Sequence, residues 1–275
     1  MMLVAAVPGL AVRTLTDELN RTVVVPDHPH RIICLVPAVA DAVFTLGAGA
    51  DVVGVSDFSE YPEDARHKPS IGQPLNPSLE TIVSLRPDLI VGDADFGANL
   101  KQVEELGIPV FLIEPHGLEG IFTSLLSLGN ALNREAAANA ASAGLRARVS
   151  QVQARVRAKP VLPIFMLIWH DPVTTIGARA FVTDLIAAAG GESVTKDLPN
   201  EWVQLSFERV VALAPKYLLL VRNAQMSFED LSQRPGWSSL PAIRERHVFY
   251  ADDRLYSPSP VAIDALEELA KQFHP

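Results

Sequence analysis

The chain has 275 residues, 48% of them hydrophobic and 20% charged, with a formal net charge of -9. That length suits one large or two medium domains, and the apolar content is that of a folded protein, which excludes disorder over most of the chain. The acidic balance offers no basic surface to neutralise phosphates, so nucleic acid is excluded as an expected partner.

Met1 to Ala11 is an apolar stretch with no basic start, read as a truncated or atypical leader; with the hairpin Val12 to Val25, turning at Asn20-Arg21, it makes up residues 1–26. Residues 27–132 read as an α/β lobe. Arg31 to Val36 is a strand in which the lone Cys34 serves as a small buried hydrophobe, followed by a helix from Asp41 to Leu46 closed by Gly47. The strands Val52 to Val55, Leu89 to Val91 and Val110 to Ile113 alternate with helices Asn76 to Leu85, Asn99 to Leu106 and Leu118 to Leu132. That alternation predicts parallel crossovers. Residues 133–159 predict one long helix, capped by Asn133, with Ala137, Ala141, Leu145, Val149, Val152 and Val156 as a narrow apolar stripe about 36 Å long. Residues 160–275 repeat the α/β pattern: the strand Ile164 to Ile168, a helix Phe181 to Ala189, a helix and strand over Ser206 to Val221, a helix Trp237 to Arg244, the strand His247 to Tyr250 and a last helix Val261 to Phe273. The expected class is α/β, with two Rossmann-like lobes of mainly parallel sheet joined by one long helix. No run of ~18 apolar residues predicts a membrane span.

The chain repeats itself. Ser78-Leu79-Glu80-Thr81-Ile82-Val83-Ser84-Leu85-Arg86-Pro87 is echoed 128 residues later by Ser206-Phe207-Glu208-Arg209-Val210-Val211-Ala212-Leu213-Ala214-Pro215, and each copy runs into an apolar strand. Apolar residues at i, i+3 and i+4 from Leu79 or Phe207 predict a buried helical stripe, and the proline ends each helix. Glu80 and Glu208 fall away from that stripe, so each lobe should show one carboxylate to solvent at an equivalent place.

In sheets of this kind ligands lie outside the carboxyl ends of the strands. The loops there hold Phe58, Tyr61, Phe96, Trp169, Trp202 and Tyr256 with the polar neighbours Asp57, His170, Asn223 and Arg254, although aromatics are only 7% of the chain. Aromatic walls with a few polar tips suit a large flat or amphipathic ligand. Enzyme chemistry finds no footing. No glycine-rich turn joins the first strand to its helix, and no serine sits between glycines on a strand-to-helix elbow. Of the seven histidines, His28, His30, His67, His116 and His170 do not converge in sequence on a metal. No catalytic residue and no metal ligand is therefore named.

The segments Arg31 to Asp41, Leu46-Gly47-Ala48-Gly49, Val53 to Asp57, Tyr61-Pro62, Asn76 to Glu80 and Leu85 to Leu89, in this order, resemble the substrate-binding proteins of bacterial iron-siderophore, haem and cobalamin ABC importers. Asp57 to Pro62, Ala189 to Glu192 and Trp202 to Ser206 are most similar to the cobalamin-binding branch. The resemblance implies a monomeric periplasmic or otherwise extracytoplasmic receptor, without catalysis or a resident cofactor, that delivers a corrinoid to a membrane permease. It places ligand contacts on Phe58 and Trp202; the strand-end loops add Trp169 and Tyr256 as expected walls of an interlobe cleft, with Asp57, His170 and Arg254 expected to orient amide groups. Glu80 and Glu208 fall on the family's docking glutamates, which pair with permease arginines. The chain departs from the pattern at Gly72-Gln73-Pro74-Leu75, at Trp169-His170 and at Ser257 to Val261. A ferric siderophore or haem on the same fold is the alternative ligand.

Overall fold

The structure, a computed structural model, describes residues 11–94, 100–222 and 227–275. Phe96, Asn223 and all of the expected leader but Ala11 lie outside the described residues. The chain divides into two compact units, one running up to Pro115 and including Gly120–Ala143, the other made of His116–Glu119 and Gly144–Pro275.

In the first unit, β1 (Val12–Thr16) and β2 (Thr22–Pro26) form the expected antiparallel hairpin. Then follow β3 (Ile32–Cys34), α1 (Pro37–Thr45), β4 (Val52–Val55), the small hairpin β5 (Gly72–Gln73) and β6 (Asn76–Pro77), α2 (Leu79–Ser84), β7 (Leu89–Asp93), α3 (Leu100–Glu104), β8 (Val110–Ile113) and α4 (Gly117–Ala131). The main sheet has the order β4-β3-β7-β8 with every pair parallel. Its central strands are apolar without alternation because both faces are covered: β3 and β7 are buried at every position. The turn of the first hairpin docks on the sheet edge, where Glu18 N donates to the Leu112 carbonyl at 3.2 Å. Asp17 holds that turn by accepting from the backbone and guanidinium of Arg21.

Helix α1 starts at Pro37, not at Asp41 as expected from sequence. Proline is at home at the first helical position, where its fixed φ fits and its missing N–H would have had no partner.

Helix α5 (Glu135–Val156) runs 22 residues, from the first unit into the second. Its buried residues are Ala138, Ser142, Leu145, Val149, Val152 and Val156, alternating steps of four and three. Ala137 is exposed and Ala141 only half-buried, which corrects the start of the expected stripe by one residue. The cause is a close approach. A Cβ at Gly129 would lie 2.2 Å from that of Ala138, so α4 and α5 meet through a glycine and an alanine, and this contact sets the rotation of α5.

The second unit contains β9 (Leu162–Leu167), β10 (Trp169–His170), β11 (Val173–Ile176), α6 (Phe181–Ala188), β12 (Gly191–Ser193), β13 (Trp202–Leu205), α7 (Phe207–Leu213), β14 (Tyr217–Val221), α8 (Phe228–Gln233), α9 (Pro241–Arg244), β15 (Val248–Ala251) and α10 (Val261–Phe273). Its parallel sheet has the order β12-β9-β14-β15. In each unit the first strand thus has the second on one side and the third and fourth on the other. The expected helix over Trp237 to Arg244 is split into a 3-10 turn at Trp237–Ser239 and α9, because Leu240 precedes a proline and adopts an extended backbone. A separate antiparallel sheet, β10-β11-β13, stands outside the parallel one.

Candidate functional site

The sequence repeat is reproduced in detail. Each copy precedes the third strand of its sheet, α2 before β7 and α7 before β14. Ser78 Oγ accepts from Thr81 N at 3.2 Å and Ser206 Oγ from Arg209 N at 3.3 Å, so each serine caps its helix by taking one of the N–H groups that a helix start leaves without a partner. Both copies close on a non-glycine residue in the left-handed region just before the proline, Arg86 at φ 47° and Ala214 at φ 44°. Ile82 and Val210 are fully buried, and Glu80 and Glu208 are exposed.

The stripe itself differs from expectation. Val83 is 53% exposed and Val211 is 42% exposed, while Leu85 and Leu213 are half-buried instead. A helix of under two turns rests on its sheet along a single row, i, i+3 and i+6, and the i+4 position rotates outward. Each exposed glutamate therefore has an exposed valine one turn further on. The second copy is anchored by Phe207, whose ring lies 5.3 Å from that of the buried Trp237. The Glu208 carboxyl is held below the usual range by its own backbone N–H and then by the Ser206 hydroxyl.

The second unit carries an aromatic surface on β10-β11-β13. Trp169 lies opposite Thr174, Thr174 opposite Gln204, and Ile176 opposite Trp202. Opposed residues of antiparallel strands share a face, as do residues two apart, so Trp169 and Trp202 rise from the same face of this sheet. They are 41% and 47% exposed. The Trp169 indole N–H donates to the Asp171 carbonyl at 2.8 Å, which fixes one ring. Tyr256 lies 6.4 Å from Trp202 between ring centroids. Its hydroxyl is buried without a hydrogen-bond partner among the described residues, and burial raises its pKa well above that of a free phenol.

His170 and Arg254 take other positions. His170 lies opposite Val173, itself opposite Leu205, on the other face from Trp169 by register, although the two rings approach to 5.0 Å. Burial lowers its pKa, Arg234 adds to the effect and Asp171 opposes it, so the imidazole is neutral at pH 7. The Arg254 guanidinium is engaged by Asp252 at 2.5 Å and Glu268 at 2.7 Å. That pairing ties it to α10 and occupies the charge that would orient an amide group.

In the first unit the corresponding aromatic is Phe58, in the loop after β4. It is 71% exposed with φ at 67°, a left-handed conformation that side chains other than glycine adopt at a cost. The neighbouring backbone holds it there, with Asp57 N donating to the Gly72 carbonyl at 2.8 Å and Ser70 Oγ to the Asp57 carboxylate at 2.5 Å. Asp57 is thus a loop-fixing residue. Among the described residues no group of three or more His, Cys, Asp or Glu could hold a metal ion.

Sequence reasoning found these aromatics by their place at strand ends but did not foresee the sheet that aligns two of them. The alternation Trp202-Val203-Gln204-Leu205, exposed at the first and third positions, was its one legible signal.

The chain is similar to known proteins over nearly its whole length. It is 25% identical over 272 residues to the ABC transporter substrate-binding lipoprotein YvrC of Bacillus subtilis, covering 95% of this chain and 85% of that one. It is 27% identical over 248 residues to a vitamin B12-binding protein of Yersinia pseudotuberculosis, covering 89% and 86%. Among solved structures, the haem-binding protein RhuT of Roseiflexus sp. RS-1 in its apo form superposes with a TM-score of 0.80 at 28% identity, covering 89% of this chain and 98% of that one. The sequence profile of one family spans residues 32–255, with both repeated segments, Phe58, Trp169 and Trp202 included, so the chain belongs to the periplasmic binding protein family.

Proposed function

We propose that this protein is the extracytoplasmic receptor of an ABC importer that binds a corrinoid on the surface built by Trp169, Trp202 and Tyr256 and passes it to a membrane permease. The family is one of transport receptors, not enzymes, and the capture of a small molecule for a permease is its common task. The observation that carries the ligand assignment is the pair of half-exposed tryptophans on one sheet face beside the unpartnered Tyr256 hydroxyl. Each aromatic side chain can bury about 150–250 Å² against a ligand, and a face of rigid rings loses little entropy on binding. Vitamin B12-binding relatives recur among the similar chains and support the same reading.

Haem is the second reading, favoured by the likeness to RhuT. Intrinsic fluorescence separates the two: cyanocobalamin should quench tryptophan emission with saturation at one equivalent. Saturable quenching by haemin or a ferric hydroxamate, with none by cyanocobalamin, would move the assignment to that ligand.

For delivery, Glu80 and Glu208 are proposed to meet arginines of the permease. Two charge-assisted contacts at separate points fix both position and rotation of a partner, and the exposed Val83 and Val211 add an apolar contact at each.

A further inference from the structure

The first unit contains a cavity of about 250 Å³ that the transport reading leaves unused. It opens at the amino-terminal edge of the parallel sheet, where His30 leads into β3, Asp51 into β4, and Asn133-Arg134 join α4 to α5. Phe58 follows the carboxyl end of β4, so this cavity lies at the other edge of the same sheet. Its floor is apolar, formed by the buried Ile32, Ala48 and Leu132. Its rim is polar.

The rim is rich in donors. Arg134 donates to the Asp51 carboxylate at 3.2 Å, and His30 Nδ1 lies 3.4 Å from the same group. Asn133 Nδ2 is 3.1 Å from a ring nitrogen of His28. The acids nearby are already matched, Asp51 by Arg134 and Asp27 by Arg13 at 2.9 Å. What stays open among the described residues is donor capacity: the rest of the five-donor Arg134 guanidinium and the second ring nitrogen of His30. The fixed guanidinium repels a metal cation and favours an anion, which planar N–H forks bind in pairs of hydrogen bonds.

We propose that this cavity is a second binding site, which takes a small organic oxyanion, a carboxylate or phosphate on a short apolar body, with its charged end on Arg134 and His30 and its body on Ile32 and Leu132. The site acts independently of the aromatic surface, and an occupant would touch the start of the long helix α5.

The test is calorimetry and thermal denaturation of the whole chain at pH 7.0 and low salt, with succinate and inorganic phosphate as separate probes. Succinate or phosphate should bind saturably and raise the melting temperature. Arg134→Gln should weaken that binding at least tenfold and His30→Gln at least threefold, while Trp202→Ala leaves it unchanged. A preference for succinate would assign a carboxylate and a preference for phosphate a phosphate ester. The His30→Gln variant keeps the test decisive if Arg134→Gln does not fold. No binding of either anion, binding unaltered in both variants, or stabilisation by nickel chloride and by neither anion would overturn the proposal.

Discussion

Tyr256 is one of six described residues with a buried side-chain polar atom that has no hydrogen-bond partner among the described residues. Its hydroxyl is buried with no partner, a state that costs a folded protein stability unless a ligand relieves it. Tyr256→Phe should therefore leave the urea midpoint unchanged or slightly raised while ligand affinity falls about three- to tenfold, the worth of one net hydrogen bond. An unchanged affinity would place the hydroxyl outside the ligand contact. His170 makes a prediction of the opposite kind. Burial holds its pKa below that of a free imidazole, so the unfolded chain takes up the proton first as pH falls. Stability due to this neutral imidazole is present above the ordinary histidine range and is lost as pH drops through it. Urea midpoints compared at pH 8 and pH 5.5 should fall for the native chain and fall less for His170→Gln. Equal slopes would refute the assignment.

At the scale of elements, the short helices α2 and α7 owe their positions to one anchoring row each and to the turn that receives it. Gly236 has φ at 84° and a Cβ there would sit 2.4 Å from the Phe207 ring. Gly236→Ala should destabilise the fold by about 1–3 kcal/mol, read from denaturant midpoints, because it combines an unfavourable backbone with overpacking of the anchor of α7. A change within 0.5 kcal/mol would show that Phe207 can move aside.

Elements with both a clear period and clear stop signals were legible in the sequence. The strands β4 and β8 and the helix α10 run over the residues expected of them. The start of α1 was misplaced because Pro37 was read as a strand terminator when it serves as a helix opener. Helix α8 was missed although Ser227 and Asp230 form a capping box, a signal visible in the sequence as Ser-Phe-Glu-Asp. The sheet β10-β11-β13 could not be read at all as a unit. A two-residue strand has no period, and its neighbour β11 pairs with β13 across a gap of more than twenty residues. For the same reason the aromatic identity of Trp169 and Trp202 was legible and their common face was not, nor was the opposite placement of His170. The pairing of Arg254 with Glu268 depends on α10 packing beside the Asp253–Tyr256 turn, a tertiary fact with no local signature.

The whole molecule is built on one plan used twice. Each unit has a four-stranded parallel sheet of the same strand order, and each sets its capped, proline-terminated helix before the third strand. Glu80 and Glu208 are therefore equivalent by topology as well as by sequence. Replacing both by alanine should reduce permease association and transport by at least tenfold and leave ligand affinity in solution unchanged, with each single change giving a partial loss. Full transport by the double variant would contradict their role in docking.

The account rests most heavily on the aromatic surface of the second unit as the place of capture. Titration calorimetry of the native chain and of Trp202→Ala with cyanocobalamin tests it most directly. One saturable site in the native chain, weakened at least tenfold in Trp202→Ala with its thermal stability retained, is the result expected. Binding of equal strength in both proteins, or no binding of cyanocobalamin to the native chain, would contradict it.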